Sequence, residues 1–200
     1  MMFKNIFQRK TVINHEEQLA DWERNGRPLP PPHIVKQTAI LEFQKKFALE
    51  ILVETGTYLG DMVEAQRDHF KKIYSIELSD RLFKKAKKRF IAYPNIKILH
   101  GDSGVVLNLL IPEIDKPALF WLDGHYSGGI TSLGNKECPV VEELNAIFKS
   151  PFNHVILIDD ARLFNGTNDY PAINDIKAIL HSTGKKFNFE AKEDIIRITQ

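Results

Sequence analysis

Short apolar segments alternate along most of this chain with longer segments whose apolar residues recur at helical spacing. The short, strand-like segments lie near residues 51–57, 72–78, 96–101, 118–123 and 154–159. The helix-like segments between them lie near residues 61–70, 79–92, 103–111 and 138–149. Because the strand-like segments are apolar on both faces, the pattern predicts a parallel sheet that is covered by helices on each side.

The last thirty or so residues follow a different pattern. After a predicted helix at 171–182, two strand-like segments at 186–190 and 195–199 are joined by a polar turn at Ala191–Asp194. So short a connection allows only antiparallel pairing, since a parallel crossover needs a dozen or more residues. The sequence therefore predicts an α/β fold with a Rossmann-like, doubly wound sheet of seven strands, mostly parallel, ending in an antiparallel hairpin.

The first fifty residues do not join this alternation, and we divide the chain into an accessory segment, 1–50, and a main domain, 51–200. The run Pro-Leu-Pro-Pro-Pro at 28–32 cannot be helical. A helix is predicted from His33 to about Glu50. Its predicted inner face consists of Ile34, Thr38, Leu41, Phe43, Phe47 and Leu49. We expect the accessory segment either to cover the active site or to pair with a second subunit in a homodimer.

Composition narrows the class of protein without identifying a function. The 200 residues carry a formal net charge of +1, which predicts neither a nucleic-acid partner nor an anionic membrane partner. The basic run from Lys84 to Arg89 is interpreted as the solvated face of a helix. Cys138 is the only cysteine, which suits a reducing compartment, and residues 1–10 lack the long apolar core of a signal peptide or membrane anchor. A cytoplasmic protein is the resulting expectation.

The segment from Ile51 to Gly60 carries the clearest functional signal. An apolar strand ends in Glu54, a turn contains Gly56 and Gly60, and the next strand along the chain ends in Glu77. A glycine turn at the carboxyl end of one strand and an acid at the end of the next form the arrangement that holds adenosine-containing cofactors. The alternative is an ordinary strand-to-helix turn beside an unrelated glutamate.

Acidic residues also close the other predicted parallel strands. They are Asp102, Asp123 and the pair Asp159-Asp160. Ligands of an open parallel sheet bind outside these strand ends, although an aspartate there can instead cap the next helix, as Asp102 could. The strands that end in Asp123 and Asp159 are expected to be neighbours, so three carboxylates would converge, a donor set that hard divalent cations favour. The alternative is that Asp159 caps the following turn and Asp160 is solvated.

Five parallel strands followed by a terminal antiparallel hairpin, together with the motif Glu-x-Gly-x-x-x-Gly, resemble the class I S-adenosylmethionine-dependent methyltransferases over about residues 50–200. A dehydrogenase-type nucleotide domain would carry a middle glycine in this turn and would continue with parallel strands. By this resemblance, Gly56 and Gly60 would line the methionine moiety, and Glu77 would bind the ribose diol. The full set of cofactor-binding residues that the resemblance implies is Glu54, Thr55, Gly56, Thr57, Gly60, Glu77, Asp102, Ser103 and Asp123.

A narrower resemblance connects the strand ends to the metal-dependent O-methyltransferases of the catechol and macrocin-type sugar classes. Those enzymes hold Mg²⁺ with an aspartate after strand four and an Asp-Asp or Asp-Asn pair after strand five. Asp123, Asp159 and Asp160 match that pattern, which implies Mg²⁺ or Mn²⁺ at these residues, with Asp123 also catalytic. The position of the proposed general base in the macrocin type is occupied here by His125, which could accept a hydroxyl proton, bind the metal or donate a hydrogen bond to substrate.

The predicted function is methyl transfer from S-adenosylmethionine to a hydroxyl oxygen of a small molecule or sugar, assisted by Mg²⁺. An amine or base acceptor is less expected, because the segment after strand four reads Asp-Gly-His-Tyr rather than Asn/Asp-Pro-Pro-Tyr. The alternative is a non-catalytic or metal-independent Rossmann-like protein that binds a nucleotide or cofactor.

Overall fold

A computed structural model describes residues 15–124 and 137–200. Its seven strands form one sheet in the order β3-β2-β1-β4-β5-β7-β6. Strands β1 to β5 are parallel, and β7 pairs antiparallel with both β5 and β6. The predicted fold class is therefore confirmed. The strands are β1 (Ile51–Thr55), β2 (Lys72–Glu77), β3 (Ile96–His100), β4 (Leu119–Leu122), β5 (Val155–Ile158), β6 (Asn188–Lys192) and β7 (Ile195–Thr199).

Helices cover both faces of the sheet. They are α1 (His15–Arg24), α2 (His33–Phe47), α3 (Asp61–Gln66), α4 (Asp80–Arg89), α5 (Ser103–Leu110), α6 (Val140–Ile147) and α7 (Ile173–Ser182), with short 3₁₀ turns at Ile111–Glu113 and Ala161–Leu163. Alternate strand residues point to opposite faces, so Val53 packs with α5, α6 and α7, whereas Leu52 packs with α2 and α3. Apolar strands are stable here because both faces are buried. None of the helices in the described residues is long and apolar enough to cross a membrane.

The strand order reverses direction between β1 and β4, because β2 and β3 lie on one side of β1 while β4 and β5 lie on the other. In open α/β sheets, such a reversal leaves a crevice at the carboxyl ends of the two strands, where ligands bind. Here the crevice lies between the turn after Thr55 and the residues that follow Leu122.

The bounds of the first hairpin strand and of the turn differ from the prediction. Strand β6 ends at Lys192, and the turn consists of only Glu193 and Asp194, rather than the four residues from Ala191. Both turn residues have positive φ, 54° and 61°, as a tight two-residue hairpin turn requires. The polar character of 191–194 indicated a turn but could not separate strand residues from turn residues.

The inner face of α2 also differs from the prediction. Phe43 and Leu49 are buried as expected, but the other inward positions are Val35, Ala39 and Ile40, and Thr38 is exposed. Ala39, Ile40 and Phe43 belong to the same core cluster as Trp121 of β4. The apolar pattern misassigned the face because Ala39 is small and contributes little apolar signal. This packing fixes the direction of every other side chain on α2, including that of Lys36.

The basic residues of α4 lie on a solvated helix face, as predicted. Leu82 and Ala86 are buried, and the lysines between them are exposed. Lys84 pairs with Asp80 and Arg89 pairs with Asp61. The charge on this helix is thus partly compensated by neighbouring acids.

Candidate functional site

The glycine turn after β1 lies against the residue that follows β4. Gly56 has φ +81°, and a Cβ atom there would lie 2.2 Å from the carbonyl oxygen of Asp123. Its N–H donates to the carbonyl of Ile76, 2.9 Å away. The N–H of Asp123 in turn donates to the carbonyl of Thr55 at 3.2 Å and to its hydroxyl at 3.3 Å. The turn therefore holds the ends of β1, β2 and β4 together, and only glycine leaves room for this approach.

The second glycine of the motif, Gly60, precedes the first turn of α3 with φ +83°. A Cβ atom there would lie 2.7 Å from the ring of Phe90, the residue that ends α4. The motif thus packs α3 closely against α4, and the turn between Gly56 and Gly60 lies over the strand ends.

Glu77 closes β2 beside this turn, with only 5% of the residue exposed. Its Oε2 accepts the N–H of Tyr58, and its Oε1 accepts the N–H of Ser79, each at 2.8 Å. Each carboxylate oxygen can still accept a further hydrogen bond through its second lone pair. The carboxylate is therefore held in a fixed orientation between the glycine turn and the start of α4.

Glu54 is buried beneath the same turn, in a chain of hydroxyl groups. The Ser75 hydroxyl donates to Glu54 Oε2, and it lies 2.6 Å from the hydroxyl of Thr57. Burial raises the pKa of Glu54 to about 8, the Ser75 hydrogen bond opposes this effect, and the charges of Asp123 and Glu77 reinforce it. A carboxyl with this pKa is protonated at neutral pH when no cation lies beside it.

Asp102 caps α5, the alternative role that the sequence left open. Its Oδ1 accepts the N–H of Gly104 at 2.9 Å, and Ser103 is buried in the first turn of the helix. A capping aspartate can still present its other oxygen to a ligand. The cofactor-binding assignment of Asp102 and Ser103 stays a prediction.

At the carboxyl end of β5, the Asp159-Asp160 pair meets a lysine that the sequence did not identify as functional. The Lys36 ammonium, from α2, donates to Asp159 Oδ2 and lies 3.6 Å from Asp160 Oδ1. Burial disfavours the ammonium, but the charges of Asp159, Asp123 and Asp160 outweigh burial and raise the pKa of Lys36. Lys36 is therefore the cation that neutralises Asp159, and it also lies near Asp160.

A second cation at this edge is Arg162, two residues after Asp160 in the sequence. Its guanidinium donates to Asp160 Oδ1 at 2.8 Å and to Asp194 in the hairpin turn. The N–H of Arg162 also donates to Asp194 Oδ1 at 2.9 Å. Arg162 thus joins the loop after β5 to the terminal hairpin through ion pairs.

Asp123, Asp159 and Asp160 supply oxygen atoms of the type that Mg²⁺ or Mn²⁺ prefers, but both oxygens of Asp159 already accept hydrogen bonds. Asp159 Oδ1 accepts the N–H of Asp160 at 2.8 Å, and Asp159 Oδ2 accepts Lys36. Within residues 15–124 and 137–200, no three acidic, histidine or cysteine side chains come together as a metal site. This arrangement does not fit a divalent ion unless Lys36 moves away, and the metal assignment stays a prediction.

Two further results concern residues near the end of β4. His125, the predicted base, lies outside the described residues, whereas its neighbour Gly124 is placed directly beside Thr55. Glu143 of α6 was not predicted to be functional, yet it is only 1% exposed, and a Cβ on Gly124 would lie 3.1 Å from its Oε1. A buried acid on an otherwise apolar helix face was the available signal.

Lys36 had a comparable signal in the sequence. It lies three and four residues before Ala39 and Ile40, so it falls on the buried stripe of α2 once that stripe is assigned correctly. A lysine on a buried stripe needs an acidic partner. Its partner, Asp159, is 123 positions away in sequence.

No protein-family model matches this chain, and no curated protein matches its sequence. Solved structures do match its fold. The SAH-bound methyltransferase PaMTH1 of Podospora anserina is 14% identical, with a TM-score of 0.60 over 91% of this chain and 86% of that one. The O-methyltransferase TomG from Streptomyces achromogenes, in complex with SAM, is 12% identical, with a TM-score of 0.57 over 96% and 91%.

Similar structures also include enzymes named for other acceptors. The N-methyltransferase NodS from Bradyrhizobium japonicum WM9 is 15% identical, with a TM-score of 0.55 over 82% of this chain and 94% of that one. At such identities the likeness concerns the fold, which is that of S-adenosylmethionine-dependent methyltransferases. Because these structures include both O- and N-methyltransferases, the fold does not define the atom that accepts the methyl group.

Proposed function

We propose that this protein transfers the methyl group of S-adenosylmethionine to a hydroxyl oxygen of a small molecule or sugar. The observation that carries the proposal is the contact between the Gly56 turn and Asp123 at the reversal of strand order, with Glu77 fixed beside it. This is the place where a doubly wound sheet binds an adenosine-containing ligand.

The residues around the turn would bind the cofactor in the roles that their positions support. Glu77 would accept both ribose hydroxyls, because its two oxygens are held apart by separate backbone donors. Gly56 and Gly60, with Thr55 and Thr57, would let the backbone approach the methionine moiety. Glu54 lies below them and would orient the turn or meet the ammonium of the cofactor through water.

Asp102 and Ser103, at the start of α5, would face the adenine edge. The end of β4 would then border both the cofactor and the acceptor, through Asp123. The cofactor supplies an electrophilic methyl group on its sulfonium. The remaining task of the protein is to hold an acceptor oxygen in line with that methyl group and to remove its proton.

The acceptor side is formed by Asp123, Asp159 and Asp160, and His125 lies two positions after Asp123 in the sequence. We assign His125 as the general base, since an imidazole with a pKa near its ordinary value of about 6.5 accepts a hydroxyl proton at neutral pH. Mg²⁺ or Mn²⁺ at the three aspartates is the alternative means of activating the hydroxyl. The contacts of Lys36 with Asp159 argue against it.

Cofactor binding is tested by replacing Glu77 and measuring the affinity for S-adenosylmethionine by calorimetry. Glu77→Ala should weaken binding by about 2–4 kcal/mol, because one to two charged hydrogen bonds to the ribose are lost. Glu42→Ala, which removes an exposed glutamate from α2, is the matched control and should bind normally. Equal affinities of the two variants would rule out Glu77 as the ribose ligand.

The acceptor is tested by following transfer of a labelled methyl group to a panel of catechols, hydroxylated sugars and amines. Label on a hydroxyl oxygen is the expected result. Label on amines alone would contradict the assignment of an oxygen acceptor. Tight cofactor binding without transfer to any acceptor would favour the non-catalytic cofactor-binding protein instead.

A further inference from the structure

Lys36 lies at the acceptor edge of the site, although it comes from the accessory segment that precedes the main domain. Its ammonium donates to Asp159 Oδ2 and lies 3.6 Å from Asp160 Oδ1. The Lys36 side chain is 15% exposed, and that of Asp159 is 1% exposed. The pair is thus largely withdrawn from water, where an ion pair is strongly coupled.

The position of Lys36 is fixed by the packing of its helix. Ala39, Ile40 and Phe43 lie on the same stripe of α2 as Lys36, and all three are buried in the core. Moving the lysine away from Asp159 by shifting the helix would disrupt that packing. The ammonium could leave only by rotation of its own side chain.

We propose that Lys36 is the built-in cation of this site, which holds the place at Asp159-Asp160 that a divalent ion would otherwise take. The inference depends on the proposed function only in treating this edge as the acceptor side. Lys36 acts as a positioning residue, because its ammonium holds the Asp159 carboxylate while the N–H of Asp160 holds the other oxygen of that carboxylate. Methyl transfer is therefore expected to be independent of added metal.

The charges at this edge agree with such a role. Lys36 and Arg162 face the carboxylates of Asp159, Asp160 and Asp194, and Asp123 lies close enough to influence Lys36. The ammonium of Lys36 already lies where Mg²⁺ would approach Asp159. A divalent ion would be repelled by the ammonium and would have to displace it from a buried carboxylate oxygen.

The test uses the full-length protein and Mn²⁺ as the probe, with binding followed by the loss of the free-ion paramagnetic resonance signal. Wild-type protein should not bind Mn²⁺ at this edge, whereas Lys36→Met should gain affinity by ~10-fold or more, since the repelling charge is removed. The double variant Lys36→Met/Asp159→Asn should lose this gain. Lys36→Arg should behave like wild type, because it keeps the positive charge.

Lys45→Met is the matched control, since it removes an exposed lysine from the last turn of the same helix. It should leave Mn²⁺ binding unchanged. Stoichiometric Mn²⁺ binding by wild type that Asp159→Asn abolishes would overturn the proposal. Failure of Lys36→Met to gain affinity, in protein whose circular dichroism matches wild type, would overturn it as well.

If Lys36→Met does not fold, the comparison of Mn²⁺ binding by wild type and by Asp159→Asn still tests the proposal. Binding of S-adenosylhomocysteine, measured by calorimetry on the same samples, keeps this test separate from the proposed function. If wild type does not bind S-adenosylhomocysteine, the methyltransferase assignment is refuted, but the Mn²⁺ result still tests the role of Lys36. Normal binding with high Mn²⁺ affinity would refute only the role of Lys36.

Discussion

At the residue scale, the site depends on a backbone contact that tolerates no side chain. Gly56 is adjacent to the carbonyl of Asp123, and this contact joins the two strands between which the sheet order reverses. The glycine was predictable from the motif, since a turn that approaches a ligand requires it. Its contact with Asp123 was not predictable, because it depends on the pairing of β1 with β4, which brings Asp123 to Thr55 across 68 positions.

Replacement of Gly56 by alanine should therefore cost more than replacement of a glycine with similar φ in open space. Gly56→Ala would place Cβ 2.2 Å from a backbone oxygen, whereas Gly26, with φ +80°, has no atom within 4 Å of such a Cβ. Gly26→Ala should lose about 1–2 kcal/mol of stability, because of its left-handed backbone alone. Gly56→Ala should lose more and should also weaken binding of S-adenosylmethionine. Urea unfolding and calorimetry measure the two effects, and equal losses in both variants would contradict the contact.

At the element scale, the strands were predictable and the faces of the helices were less so. A strand buried on both faces gives a continuous apolar run, which is unambiguous in sequence, as Ile156-Leu157-Ile158 shows. A helix face is defined by a few positions, so the small Ala39 on α2 was enough to hide the correct stripe and, with it, the inward position of Lys36. The extent of the terminal turn was hidden for a similar reason, because Ala191 and Lys192 are polar or small yet pair with β7.

The amino ends of β4 and β5 are joined by His154, which gives the fold a specific pH dependence. Its Nδ1 accepts the N–H of Ala118 at 3.1 Å, and its Nε2 lies 2.7 Å from the Ser150 hydroxyl. Burial, assisted by the charge of Lys185, lowers the pKa of His154 to about 4. The unfolded chain therefore binds a proton below pH 6.5 that the folded protein does not bind until about pH 4.

Stability from His154 should thus be complete above pH 6.5 and should fall as the pH is lowered toward 4. At pH 5 the loss should be about 2 kcal/mol relative to pH 7. Urea unfolding at the two pH values measures it, and His154→Gln should show a smaller difference than wild type. His69→Gln, which replaces an exposed histidine, should retain the wild-type difference. A pH dependence that is the same in both variants would exclude His154 as its origin.

At the scale of the whole molecule, the alternation of strands and helices predicted the sheet, but it placed α2 outside the main domain. The boundary at residue 50 rested on composition, since the proline run at 28–32 interrupts the pattern. In the structure, α2 covers one face of the sheet beside Trp121 and carries Lys36 to the end of β5. Tertiary contacts between residues so far apart in sequence leave no periodic signal. Neither the packing of α2 beside Trp121 nor the position of Lys36 at the end of β5 could therefore be predicted from a single sequence.

Two truncations separate the part of the accessory segment that is required for folding from the part that is not. Removal of residues 1–30 should leave the core folded, because α1 and its Trp22 lie outside the two core clusters of the sheet. It should alter turnover or the molecular mass in solution, and light scattering, which measures that mass, also tests the predicted homodimer.

Removal of residues 1–50 should abolish cooperative unfolding. It deletes Ile40 and Phe43 from the core and uncovers Leu52 and Trp121 on the sheet, at about 1.5–3 kcal/mol each, and it removes the ammonium partner of Asp159. These losses together approach the total stability of an ordinary domain. A cooperative thermal transition in the shorter protein would show that α2 is an accessory element, and it would support the boundary at residue 50.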